Sequence, residues 1–293
     1  MKRFKKAMHI VRFITLGFLS TLCLASFSAG AEAATSHDLR PVLVPHKALY
    51  DIRLVSRHSG ADVLNISGQM LFEGKITCDA WTTDHHFKLI YEYADSPPMQ
   101  VVSDFTTYEP FNGTDFDFTS RRERNGEVFE ELRGHATRHP DGTGKAVYSL
   151  PEGLEFDMPA GSLFPAAHTA ETVAQMRAGK KIFSVPVFDG SDQEGPVEIN
   201  TIIGKPVKDV TAAGKAVDAA LLESPARAVR MAFFPLNKTE PEADYEMNVV
   251  MHDNGVISDM LIDYGDFSVT QKLTALERLE NPVCDSKNGK GKQ

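Results

Sequence analysis

Apolar and polar residues alternate with a period of two along most of this chain. Ala48, Tyr50, Ile52 and Leu54 alternate with Lys47, Leu49, Asp51 and Arg53; Phe87, Leu89 and Tyr91 alternate with Lys88, Ile90 and Glu92; Phe116 and Phe118 flank Asp117. Successive side chains of a strand point to opposite faces, so each run predicts a strand with one face on a core. Residues 128–137 fit a strand or a short helix, and their place among strands favours a continuing meander. Asn125-Gly126, Asp141-Gly142 and Asn254-Gly255 are turn dipeptides whose central positions accept positive φ, which suits tight hairpins. The last of them joins 245–252 to 256–264, and Gly265-Asp266 leads on to 267–276, predicting a three-strand meander near the C-terminus.

Residues 164–179 break the rule. They are alanine-rich, with Ala167, Ala170, Val173, Ala174 and Arg177 at helical spacing, Pro165 suited to a first turn and Gly179 to a stop. One amphipathic helix of about three to four turns is predicted, lying on the sheet, its small residues permitting close approach. Residues 205–226 are the least periodic and predict an exposed loop, and the polar, Lys/Gly-rich 285–293 predict a disordered tail. About a dozen strands and one helix point to a large antiparallel sheet that curls, because open twisted sheets of this size close or split.

The N-terminus changes the compartment. Lys2, Arg3, Lys5, Lys6 and Arg12 precede an apolar run from Phe13 to Phe27, followed by small residues around Ala29, Ala31 and Ala33. This is the layout of a secretory signal, predicted to span 1–33 with cleavage near residues 31–34, and the run falls short of the roughly 20 residues that cross a bilayer. No transmembrane anchor is then expected after cleavage. Cys23 would leave with the signal, so Cys78 and Cys284, 206 positions apart, remain as an even pair in an oxidising compartment, where thiols normally pair. Two unrelated buried thiols are the alternative. If joined, they are expected to hold the far margins of the rolled sheet together. Without residues 1–33 the chain carries 26 basic against 39 acidic residues, a net charge of −13, which argues against nucleic acid as a partner.

Familiar catalytic frames are missing. There is no GxSxG elbow, no GxGxxG, no CxxC, and no Gly-Lys pair is followed by Ser or Thr as a phosphate loop requires. His135 and His139 lack the intervening glutamate of a metalloprotease helix. His85 and His86 point to opposite faces of a strand. Asp189–Gly195 lacks the alternating acids of a calcium loop and reads as an acidic turn, and Asp115 and Asp117 share an exposed strand face. No cofactor, metal site or catalytic residue is expected on these grounds, and the ligand-binding residues are not identifiable. A hydrolase with a non-local active site, drawing on His85, His86, Asp115 and His168, stays open because triads need not be local in sequence. A curled sheet with a concave aromatic face can also hold an acyl chain or a peptide.

Several stretches resemble the EipB family, periplasmic envelope-integrity proteins of Gram-negative alphaproteobacteria. They are 45–50 (PHKALY), 68–70 leading to Cys78-Asp79-Ala80-Trp81, 163–169 (LFPAAHT) into 178–180, 187–190 (VFDG), and 263–267 (DYGDF) before Cys284. Ala80 stands where the family pattern has Gly, at a position read as an outward strand end. The resemblance implies a mainly β fold: a large, broken antiparallel barrel, or β-spiral, of about fourteen strands with one helix, LolA-like in form and similar to the periplasmic lipoprotein carriers LolA and LolB. It also implies a Cys78–Cys284 disulfide bond, a single domain over 34–284, and a periplasmic tetratricopeptide-repeat protein as partner. The function it implies is soluble, non-catalytic support of cell-envelope integrity through protein or lipid binding, with a periplasmic carrier of a lipid or lipoprotein acyl chain as the alternative.

Overall fold

The structure, a computed structural model, describes residues 42–208, 210, 216–236 and 242–284. The segments expected to form the signal (1–33) and the tail (285–293) lie outside them, as do 34–41 at the start of the expected domain. The strands are β1 (His46–Arg57), β2 (Val63–Ile76), β3 (Ala80–Tyr93), β4 (Met99–Pro110), β5 (Asp115–Arg124), β6 (Glu127–Arg138), β7 (Gly144–Leu150) and β8 (Glu155–Met158). After the helix α1 (Pro165–Arg177) come β9 (Ile182–Val187), β10 (Val197–Val207), β11 (Ala216–Val217), β12 (Ala226–Pro235), β13 (Tyr245–His252), β14 (Ile257–Asp263) and β15 (Phe267–Arg278).

Fourteen strands form one antiparallel path in the order β8, β7, β6, β5, β4, β3, β2, β1, β15, β14, β13, β12, β10, β9. Its right-handed twist rolls it into a nearly closed barrel with one unsealed seam. The alternation read from the sequence is the inside–outside alternation of that wall: Ala48, Tyr50, Ile52, Phe116 and Phe118 are all buried. Asn125 and Gly126 both take positive φ, 51° and 84°, in the two-residue turn between β5 and β6. The C-terminal meander forms as β13, β14 and β15, and residues 128–137 are strand throughout.

The edges of the path are β8 and β9, two strands from the middle of the chain, and the connection between them is α1. Near the seam the chain makes a single parallel bridge, Leu163 to Val187, with Leu163 N–H donating to Pro186 O at 2.9 Å and Phe188 N–H to Leu163 O at 3.0 Å. The helix stops where Gly179 takes φ of 73°. Its buried side differs from the predicted stripe. Ala166, Ala170, Val173 and Met176 are buried together with His168 and Thr172, so the helix is enclosed on more than one side rather than lying on an open sheet. Val173 and Met176 enter the main core, while Ala166 and Ala170 pack with Leu43 and Trp81.

Three further expectations meet the structure differently. Within 205–226 the described residues are ordered: β11 pairs parallel with β15 at Ala275 and Leu276, a stretch beyond the reach of β14, and Leu221 in the 3₁₀ turn that follows is fully buried. Two residues of strand are too few to register as a period, which is why the pattern missed them. Residues 209 and 211–215 of that stretch lie outside the described residues. Ala80 is not an outward strand end; it is fully buried, its backbone held by Thr77 in the turn before β3.

The cysteine expectation divides. Cys78 and Cys284 stand at bonding distance, with Sγ atoms 2.15 Å and Cα atoms 5.6 Å apart. They do not hold the margins of the rolled sheet. Chain-terminal β15 and β1 are neighbours in its middle, so the link runs from the segment after β15 across β1 to the β2–β3 turn. A link that closes a loop of 206 residues acts mainly by restricting the unfolded chain. Thiol titration of the denatured, unreduced protein should therefore find neither Cys78 nor Cys284 free. The Cys78→Ser, Cys284→Ser double variant should lose between about 2 and 5 kcal/mol by chemical denaturation.

Candidate functional site

Inward-facing side chains leave a cavity of about 530 Å³ inside the barrel. One cross-strand row across its wall is Tyr50, Met70, Phe87, Ser103 and Arg122, and the next is Ala48, Phe72, His85, Phe105 and Ser120. The cavity runs from Leu43, Trp81 and Asn254 at the end where α1 begins to Tyr245 and Tyr264 at the other. Its two sides differ in chemistry. β13 and β14 contribute Met247, Met260 and Ile262, whereas β3, β4 and β5 contribute Thr83, His85, Ser103, Thr107, Ser120 and Arg122. An interior lined this way is amphipathic, and its size lies within the usual range for small-molecule sites, about 300–1,000 Å³.

Charge inside is held low. His85 is boxed by Phe72, Phe105 and Phe87, with ring centroids 5.1, 6.1 and 6.2 Å away, and burial pulls its pKa down to about 4 despite nearby Asp84. His46 lies 4.9 Å from Phe72 and is likewise pushed down by burial, against the pull of its bond with Val44 O. Both imidazoles are neutral at pH 7. The one cation on the polar side, Arg122, pairs with Glu130 at 2.5 Å and donates to Ser191 O at 2.8 Å. That second bond pins the 189–195 loop, which Tyr148 also holds through Asp192 O at 2.7 Å. Gly190 in this loop, at φ of 66°, lies against the Phe118 ring, where a Cβ would come within 2.4 Å. The stretch that resembled a calcium loop is thus an acidic turn that seals one flank of the cavity.

At the α1 end of the cavity sits Glu109, the last inward residue of β4 and almost wholly buried. Phe164, at the N-cap, supplies no side-chain cap. Instead the Glu109 carboxylate accepts from Ala166 N–H and Ala167 N–H, each at 2.9 Å, so a side chain 57 residues earlier satisfies the first turn. Burial pushes its pKa up to about 7, against those two amides and Arg138.

The residues singled out by sequence are dispersed. His85 is inside the barrel, and His86 is outside it, bonded to Asp104 at 2.6 Å. Asp115 lies on the outer face of β5, where His135 bridges it (3.5 Å) and Asp117 (2.8 Å). His168 is on α1, 6.4 Å from the Phe183 ring. The structure does not bring the four hydrolase candidates together, and among the described residues no group of three or more His, Cys, Asp or Glu is arranged to hold a metal ion. Sequence reasoning missed Glu109, Arg122 and Gln271. Each is a polar residue on the inward side of a strand's alternation, which is the signal that could have found them.

Fold and cavity define a hollow antiparallel β-barrel with an amphipathic interior. The chain belongs to the EipB-like family, whose model matches residues 38–280. It is 28% identical over 277 residues to the cell envelope integrity protein EipB of Brucella abortus (strain 2308), covering 92% of this chain and 95% of that protein. It also matches a crystal structure of a beta-barrel-like protein of a domain of unknown function from Brucella abortus. That match has a TM-score of 0.76 at 27% identity and covers 82% of this chain and 99% of the other.

Glu109 makes stability depend on pH in a definite direction. Its folded pKa, raised from 4.5 to about 7, means the folded state holds a proton that the unfolded state has lost between those values. The contribution is full below about pH 4.5 and is lost as pH rises through about 7, on the order of 3 kcal/mol. Buried His46 and His85 act oppositely, losing stability as pH falls below about 6.5, so the difference between proteins is the readout. Chemical denaturation at pH 5 and pH 7.5 should show Glu109→Gln losing less stability across that interval than the parent.

Proposed function

We propose that this chain supports cell-envelope integrity from the periplasm as a soluble, non-catalytic binding protein. The reading rests on membership of the EipB-like family and on its curated relative, named a cell envelope integrity protein. The observation that carries the binding part is the amphipathic cavity of about 530 Å³, whose wall is built from the barrel's own inward residues. Among the described residues no helix is long and apolar enough to cross a membrane, which agrees with action after export. The partner proposed is a periplasmic tetratricopeptide-repeat protein.

A second reading gives the cavity the role of carrying a lipid or lipoprotein acyl chain. Favouring it are Met70, Met247 and Met260 in the lining, unbranched, flexible side chains that adapt to a chain of varying length. The hydrolase reading has no observation behind it here.

Deleting the gene should sensitise cells to detergent and to cell-wall antibiotics, and the wild-type gene should restore resistance. Ser103→Phe fills the cavity from its polar wall without touching the outer surface, since Ser103 faces the lumen. That variant should accumulate normally yet fail to restore resistance. Full complementation by it would separate envelope support from the cavity.

A further inference from the structure

Among the described residues five buried side-chain polar atoms have no hydrogen-bond partner, on Arg138, His168, Thr201, Ser224 and Gln271, and of these residues Gln271 alone lines the cavity. Gln271, on β15 between Ile52 of β1 and Met260 of β14, is 5% exposed and lines the cavity, and its Oε1 accepts no hydrogen bond. Leaving a buried carbonyl oxygen unpaired costs about 1–3 kcal/mol, so this is a position prepared for a donor. We propose that the cavity binds an uncharged single-chain amphiphile whose head carries a hydroxyl or amide N–H, with that group donating to Gln271 Oε1. The inference rests on the binding reading above and specifies its ligand.

Three features of the wall support this chemistry. First, the donor site is a position along a long slot, not its floor. On β3 alone the lining runs from Trp81 to Phe87, about 20 Å at the rise of a strand, which suits a linear chain. Second, the slot gains nothing from an anionic head. Arg122 is already engaged with Glu130 and Ser191, Asp189 lines the same flank, and the two imidazoles are neutral. Third, the apolar partners of Gln271 are Met260 and, beyond it, Ile262 and Met247, which accept methylenes on either side of one hydrogen bond. An extended peptide fits less well. Its backbone carries a donor and an acceptor at each residue, whereas the wall strands here spend theirs on one another.

At the rim, Tyr264 stacks obliquely between Tyr245 and Phe267, at 5.9 and 5.2 Å, and Tyr264 remains 45% exposed. Val269 and Phe267 are the two alternate positions of β15 between Gln271 and that rim, so the head would pass the aromatic residues before reaching its acceptor. Amphipathic rings at such a mouth can contact both a polar head and the methylenes behind it.

The test is titration of the full-length secreted protein with three probes sharing one oleoyl chain: monooleoylglycerol, methyl oleate and oleate. Intrinsic Trp81 fluorescence gives the signal, since Trp81 lines the cavity. Monooleoylglycerol should bind about tenfold or more tighter than methyl oleate, which lacks a donor. Gln271→Leu should erase that difference while leaving methyl oleate binding intact. Its melting temperature serves as the folding control, and Gln271→Glu, which keeps the acceptor, should retain the preference if Leu is not tolerated. Equal affinity for monooleoylglycerol and methyl oleate overturns the donor site while leaving lipid binding in place. Tightest binding by oleate overturns it in favour of an anion site at Arg122. Binding of none of the three overturns it together with the acyl-chain reading.

Discussion

A rolled sheet has two edges, and everything inside this barrel depends on how those edges are met. Unpaired strand edges expose a row of N–H and C=O groups that invite pairing with another chain. Here β8 and β9 are the edges, and among the described residues the isolated bridge near the gap pairs Leu163, beyond the end of β8, with Val187 of β9. The rest of the burden falls on α1, which leaves one edge and arrives at the other. Glu109 holds its first turn from the wall of the barrel, and Arg177 in the last turn donates to Asp253 O between β13 and β14. The helix is thereby fastened at both ends to strands that are not its sequence neighbours.

Fastening the helix this way explains why the interior is hollow where it is. Alanines at 166, 167 and 170 bring α1 near the wall without filling the space beyond, and Pro165, Ala166 and Thr169 become part of the cavity lining. Next to it, Phe116, Phe118, Phe164 and Phe188 build a separate aromatic cluster with Tyr148, closing the region under the 189–195 loop. The barrel thus has a solid part beside the seam and an open part under β1 to β5 and β13 to β15. Packing density, not strand count, sets the position of the lumen.

Period-two alternation and glycine turns read most of the wall correctly because they are local properties. The C-terminal meander, the helix from Pro165 to its stop at Gly179, and the split of His85 from His86 all follow from neighbours a few positions apart. What stayed hidden was long-range. Nothing local in Cys78 and Cys284 says that the chain ends lie in the middle of the sheet, so the link looked like a clasp on its margins. Glu109 and Ala166 are 57 residues apart, and a glutamate ending a strand carries no mark of the helix it will cap. The lumen residues were marked only by phase. Arg122 falls in step with Phe116 and Phe118, and Gln271 with Val269 and Leu273, on the buried side of the alternation. A polar residue in step with apolar neighbours can line a lumen or end the buried part of a strand, and the pattern alone does not separate the two.

That ambiguity also carries the chemistry of the site. A barrel wall built to be solid would place apolar residues at all inward positions, as β1 does at Ala48, Tyr50 and Ile52. The inward positions of β3 to β5 depart from this at Thr83, His85, Ser103, Ser120 and Arg122, each of which must satisfy its polar atoms in a confined space. Neutralising the imidazoles by burial and engaging Arg122 within the wall removes net charge without removing hydrogen-bonding capacity. A compartment with polar atoms and little charge discriminates through donors and acceptors rather than through Coulomb attraction, and it does so most sharply where one acceptor has been left for an incoming group. In this fold that acceptor is on β15, whose backbone around Gln271 is paired without a break to β1 from Val269 to Leu273 and to β14 from Ser268 to Lys272.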